Sequence, residues 1–170
     1  MTLLFFGSFN PVHKGHILVA RAALAKYAGA EVWFVLSAQN PFKEESNLWD
    51  YNKRLNLLEK ALEGEMRMKI CEIEKELPKP SYTINTLNSI TLQYPAEEFL
   101  LLMGQDNLEE ITMWKDYEKI LERFTVVVYP RKNGRTRTLE NVPALPEYAK
   151  ITFLEEPLLD YSSTKIRNFA

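Results

Sequence analysis

The chain is poor in cysteine and in histidine: one cysteine, Cys71, and two histidines, His13 and His16, in 170 residues. A single thiol excludes an internal disulfide, and the apolar neighbours of Cys71 suggest a buried, reduced side chain rather than a nucleophile. That points to a reducing compartment, with the cytoplasm as the expected location. No apolar run approaches the length of a bilayer crossing, and Met1 to Phe6 is too short and lacks the basic lead of a secretory leader. No membrane association is expected. The net charge is -2, without a basic cluster or stripe, so no nucleic-acid partner is expected and small anions are the better candidates. Repeats, low-complexity tracts and linkers are missing too, which leaves one domain over 1–170, long enough to bury a true core at 46% hydrophobic residues.

What is present is a regular alternation. Apolar runs predict strands at Leu3–Phe6, Glu31–Ser37, Lys69–Ile73, Phe99–Met103, Thr125–Tyr129 and Ile151–Phe153. Helical patterns lie between them: Lys14 to Tyr27, with Ile17, Ala20, Leu24 and Tyr27 on one side, then Tyr51 to Leu62 and Thr83 to Leu92. Strands alternating with helices imply an α/β fold, a doubly wound parallel sheet of Rossmann-like type with helices on both faces. Ligands of such sheets bind beyond the carboxyl ends of the strands, where the strand order switches. The stretches Gln39–Asn47, Leu77–Ser81 and Arg131–Pro146 are irregular and of a size that often carries function.

The run Phe6-Gly7-Ser8-Phe9-Asn10-Pro11-Val12-His13-Lys14-Gly15-His16 follows the first strand. Gly7 permits a tight exit, Pro11 presets entry into a helix, and N–H groups at a helix start attract anions. Helix starts ordinarily favour acids, yet this one carries His13, Lys14 and His16 and no acid. An anion from outside resolves that conflict. His13 and His16, three apart, share one helical face, and Gly15 between them allows close approach to the backbone.

His13-Lys14-Gly15-His16 resembles the H-x-G-H signature of the nucleotidyltransferase superfamily, and Gly7 to Pro11 is similar to its nicotinate-nucleotide adenylyltransferase branch. Ser162-Ser163-Thr164-Lys165-Ile166-Arg167 resembles the S-S-T-x-I-R phosphate motif that pairs with H-x-G-H across the ATP site. Ser81-Tyr82-Thr83-Ile84-Asn85-Thr86-Leu87 looks like the S-Y-T-x-x-T-L segment that recognises the pyridine nucleotide. Ser81 and Thr83 would serve equally as plain helix caps. Gly104-Gln105-Asp106-Asn107-Leu108 resembles the family's G-x-D-N/S-L, Trp114 its ring-stacking tryptophan, Asn40-Pro41-Phe42-Lys43 its Pro-x-Lys loop, and Tyr129 to Arg135 its R-x-G turn. A helix cap at Asp106, a core aromatic at Trp114 and solvated charges at Lys43 and Arg131 are the plain alternatives. The chain departs from the pattern at Asn85 (many relatives have Asp), at Lys115 (some have Tyr), at Tyr161 and in stopping at Ala170, where relatives continue with a further helix.

The resemblance implies a transferase that moves AMP from ATP to nicotinate mononucleotide, giving deamido-NAD and pyrophosphate. It assigns His16, His13 and Lys43 to catalysis. ATP would be bound by Gly7, Ser8, Phe9, His13, Gly15, His16, Asp106, Ser162, Ser163, Thr164 and Arg167. The mononucleotide would be bound by Asn10, Lys43, Thr83, Thr86, Trp114 and Arg131, with Thr86 and neighbouring N–H groups meeting the nicotinate carboxylate. Mg2+ is the implied cofactor, held by substrate phosphates and water rather than by protein ligands. The expected partners are the two small substrates, and a homo-oligomer is compatible. Nicotinamide mononucleotide or phosphopantetheine as acceptor, and a non-catalytic nucleotide-binding module, are the alternatives.

Overall fold

A computed structural model describes residues 1–39, 41, 47–130 and 142–155. The strands are β1 (Thr2–Gly7), β2 (Glu31–Leu36), β3 (Met68–Cys71), β4 (Phe99–Gly104), β5 (Thr125–Tyr129) and β6 (Ile151–Phe153). They pair in parallel throughout, in the order β3-β2-β1-β4-β5-β6. The helices are α1 (Lys14–Lys26), α2 (Tyr51–Ala61), α3 (Thr83–Gln93), α4 (Gln105–Glu109) and α5 (Tyr117–Arg123), with 3-10 turns at Ile73–Lys75 and Ile111–Met113.

A parallel sheet must be covered on both faces, and the pleat divides the apolar residues accordingly. Leu3 and Phe5 of β1, with Val32, Phe34 and Leu36 of β2, face a core closed by Ala20, Ala23 and Leu24 of α1 and Leu58 of α2. Leu4, Val35, Leu101 and Met103 face the other side, against Ile84, Leu87 and Ile90 of α3 and Ile120 and Leu121 of α5. The small side chains of α1 let it lie close to the sheet, and Lys26 in its last turn complements the dipole.

Two details differ from the sequence reading. β3 stops at Cys71 because Ile73 already opens a 3-10 turn. α4 and α5 escaped the periodicity because five and seven residues are too short to display one. α1 begins at Lys14, as read from the sequence, with His13 as its N-cap in an extended conformation (φ -147°, ψ 170°) and Pro11 ahead of the helix.

Strand order reverses between β1 and β4, since β1 connects outward to β2 while β4 connects outward to β5. The exits of β1 and β4 are therefore side by side, and between them lies the crevice in which this architecture binds ligands.

Candidate active site

The exit from β1 is built on an aromatic block. Phe9 takes a left-handed conformation (φ 41°), which turns its ring under the strand that precedes it. There it meets Phe5, Phe34 and His16 with ring centroids 5.6, 5.2 and 5.1 Å away. A Cβ on Gly7 would lie 2.8 Å from that ring. Glycine is thus required at position 7 by the close approach of Phe9, and the backbone strain falls on Phe9 itself. Phe9, 2% exposed, is a core residue that supports the site. The Ser8 hydroxyl is likewise buried and has no hydrogen-bond partner among the described residues.

His13 and His16 stack, with centroids 3.7 Å apart and planes at 28°. His16 Nδ1 accepts the His13 backbone N–H at 3.2 Å. That bond fixes the tautomer of the neutral ring, placing its proton on Nε2, the nitrogen that can donate to an anion. Gly15 is buried in the first turn of α1 between them. Across the switch point, Gly104 ends β4 as the extended N-cap of α4, and Asp106 lies in that helix's first turn. Asp106 does not cap the helix through its side chain.

Two of the expected ligands hydrogen-bond within the protein. The Asn10 amide donates to Asn47 O at 2.9 Å and accepts the Trp49 N–H at 3.0 Å, so it anchors the chain leading into α2. Thr86 is fully buried; its hydroxyl donates to Glu74 Oε1 at 2.9 Å, and its N–H already serves Tyr82 O at 3.3 Å. Tyr82, with no side-chain cap bond, is the N-cap of α3, so neither Ser81 nor Thr83 caps this helix. The Ser81 hydroxyl accepts the Gln39 N–H, and Thr83 stands at the first helical position. The N–H groups that α3 leaves open at its start are those of Thr83 and Ile84, ahead of the first helical bonds at Asn85 and Thr86. Trp114 is half-buried at the edge of the α3 core. Lys115 sets its ammonium 4.7 Å from the centroid of the Tyr82 ring, a cation–π contact beside the same helix start. Lys43, Arg131, Ser162, Ser163, Thr164 and Arg167 lie outside the described residues.

Two buried ionisable residues underlie both halves of the site, and the sequence reading missed them. Arg54, 1% exposed, donates to Ser8 O and Ser37 O at 2.8 Å and to Trp49 O at 2.9 Å, joining the exits of β1 and β2 to the start of α2. Its burial makes the guanidinium easier to deprotonate than usual. Glu74, 2% exposed, accepts the Ala38 N–H at 3.2 Å as well as the Thr86 hydroxyl. Burial pushes the Glu74 carboxyl up, and hydrogen bonds from Ser81, Thr86, Ala38 and Ser37 oppose the shift without cancelling it. A signal for Arg54 existed: it shares a helical face with the buried Leu58 and Leu62, where an arginine is out of place. Glu74 had none, since Glu72 and Glu76 on either side are exposed and look the same in sequence.

Cys71 is half-buried, and desolvation raises its pKa, so a structural thiol is what the fold makes of it. No group of three His, Cys, Asp or Glu able to hold a metal occurs among the described residues. No helix among them is long and apolar enough to cross a membrane.

A doubly wound sheet with a stacked histidine pair at the switch point defines a nucleotide-binding α/β protein of the nucleotidyltransferase type. The cytidylyltransferase-like family model matches residues 4–169, and the chain belongs to that family. Within it the chain stands among the nicotinate-nucleotide adenylyltransferases. It is 39% identical over 165 residues to a probable nicotinate-nucleotide adenylyltransferase of Cytophaga hutchinsonii, covering 97% of this chain and 83% of that one. A protein of the same name from Bacteroides fragilis is 38% identical, with 98% of this chain and 80% of that one covered. The Plasmodium falciparum nicotinic acid mononucleotide adenylyltransferase complexed with NaAD shares the fold at a TM-score of 0.79 and 18% identity, over 99% of this chain and 82% of that one.

Proposed function

We infer that this protein transfers AMP from ATP to nicotinate mononucleotide, forming deamido-NAD and pyrophosphate. The observation that carries the reading is the stacked His13–His16 pair at the exit of β1, with His16 Nδ1 occupied so that Nε2 is the donor. In this reaction an oxygen of the mononucleotide phosphate forms the new bond to the α-phosphorus of ATP while the bond to pyrophosphate breaks. No enzyme nucleophile is needed, and the protein supplies position and charge stabilisation. His16 and His13 donate to phosphate oxygens as negative charge moves onto pyrophosphate. Lys43 and Arg167 add positive charge, and Ser162, Ser163 and Thr164 offer hydroxyls to the β- and γ-phosphates. On the acceptor side, the Thr83 and Ile84 N–H groups suit a carboxylate, Trp114 an aromatic ring, and Arg131 the mononucleotide phosphate.

A divalent magnesium ion, when bound, would neutralise charge on the triphosphate. Asp106, in the first turn of α4 at the crevice, would contact ribose hydroxyls or the water of a metal carried in by the nucleotide.

Pyrophosphate release with Mg-ATP and nicotinate mononucleotide, nicotinamide mononucleotide or phosphopantetheine in parallel tests the assignment. Preference for nicotinate mononucleotide, lost in His16→Ala, is expected. Preference for phosphopantetheine would place the chain in another branch of the fold, and ATP binding without turnover on any acceptor would make it a binding module.

A further inference from the structure

We propose that Glu74 is a positioning residue for the acceptor half of the site, registering the first turn of α3 against the exit of β2 through the Ala38 N–H and the Thr86 hydroxyl. The inference rests on the functional reading above and deepens it.

Glu74 lies in the 3-10 turn after β3 and is 2% exposed, so its carboxylate cannot reach a ligand. What it touches is informative. Oε2 takes the N–H of Ala38, two residues beyond the end of β2, and Oε1 takes the hydroxyl of Thr86, in the second turn of α3. Around this centre, the Gln39 N–H donates to the Ser81 hydroxyl at 3.3 Å and the Ser81 N–H to Gln39 O at 2.9 Å. Four polar contacts therefore fix the start of α3 to the strand-exit side of the sheet; its remaining anchors are the apolar Ile84, Leu87 and Ile90 and, at the exposed surface toward α5, Asn88 and Thr91, which accept from Arg123. Apolar packing resists separation but tolerates sliding, whereas hydrogen bonds fix direction and distance. The N–H groups of Thr83 and Ile84 are carried on that same first turn. Their position relative to the histidine pair is thus set by Glu74, which also explains why Thr86 is buried when the family motif suggests a ligand.

The bond pattern also predicts which substitution is tolerated. A glutamine has one acceptor for the Ala38 N–H and one donor for the Thr86 oxygen, whose own proton can turn to Tyr82 O, 3.4 Å away. Leucine keeps the volume and loses every hydrogen bond to the carboxylate, including those to Ala38 and Thr86, and Thr86→Val removes one.

The test is steady-state kinetics with ATP and nicotinate mononucleotide varied independently, on the full chain, for wild type, Glu74→Leu, Thr86→Val and Glu74→Gln, with circular dichroism as the check on folding. Glu74→Leu and Thr86→Val are expected to raise KM for nicotinate mononucleotide about tenfold, the scale of one lost hydrogen bond, and to leave KM for ATP within about twofold. Glu74→Gln is expected to restore both within about twofold. Equal rises in both KM values, a loss confined to kcat, unchanged kinetics in Thr86→Val, or a Glu74→Gln as impaired as Glu74→Leu would overturn the inference. Should Glu74→Leu fail to fold, Thr86→Val and Glu74→Gln decide. Wild type inactive on every acceptor would overturn the functional reading and this inference with it; active wild type with unaffected variants would overturn this inference alone.

Discussion

Arg54 and Glu74 hold opposite ends of one peptide group. Arg54 donates to Ser37 O at 2.8 Å, and Glu74 accepts the Ala38 N–H at 3.2 Å, so the Ser37–Ala38 amide beyond β2 is bound on both sides by buried groups of opposite sign. The amide dipole points its negative end at the cation and its positive end at the carboxylate. Because Arg54 also binds Ser8 O and Glu74 also binds Thr86, the exits of β1 and β2 and the start of α3 form one hydrogen-bonded unit.

Removing the cation leaves three inward-facing carbonyls, those of Ser8, Ser37 and Trp49, without their donor. Arg54→Met is expected to destabilise the protein by about 3–5 kcal/mol, the usual cost of breaking a buried charged network. Arg54→Lys should recover only part, because one ammonium cannot reproduce the planar fork. Urea denaturation monitored by circular dichroism measures both; a loss near zero for Arg54→Met would show that water replaces the guanidinium.

Glu74 makes stability depend on pH with a definite sign. Its folded pKa is raised by burial from an ordinary value of 4.5, so the native state binds more protons than the unfolded chain as pH rises above that value. This contribution is fully present below the unfolded pKa and is lost as pH rises through the folded one. Relative to wild type, Glu74→Gln should gain stability across that window. Thermal midpoints measured from pH 4 upward in about half-unit steps would show it; a constant difference at every pH would mean that Glu74 does not titrate there.

His16→Ala removes a donor on the phosphate side and is expected to lower kcat roughly 100- to 1000-fold with the fold intact, the range seen when one preorganised donor is lost. Pyrophosphate release gives the rate and circular dichroism the fold. Unchanged turnover would remove His16 from the mechanism.

Gly7→Ala tests the aromatic block. The added Cβ falls 2.8 Å from the Phe9 ring, and that ring is boxed in by Phe5, Phe34 and His16. A loss of about 1–3 kcal/mol is expected, as for other overpacked cores. The displaced Phe9 should carry His16 with it, so turnover falls more than stability alone accounts for. A variant of normal stability and activity would show that the ring has room to move.

Sequence alone determined the six strands and the three longer helices between them. The six apolar runs became the six strands of the described sheet, because strands buried on both faces of a parallel sheet need continuous apolar residues, and that pattern is local. It also indicated that His13 and His16 meet, although they do so as N-cap and third residue of α1, with His13 extended, rather than as two residues of one helical turn. Tertiary structure alone decided which polar side chains turn inward. Asn10 and Thr86 have the residue types of ligands yet are bound to Asn47, Trp49 and Glu74, partners 37, 39 and 12 residues away in the chain. The requirement for glycine at position 7 arises from the Phe9 ring, and the role of Glu74 from Ala38 and Thr86 meeting beside it. A side chain's chemistry is fixed by its sequence position, but whether that chemistry is offered to a ligand or used within the protein depends on which distant groups the fold brings within hydrogen-bonding distance.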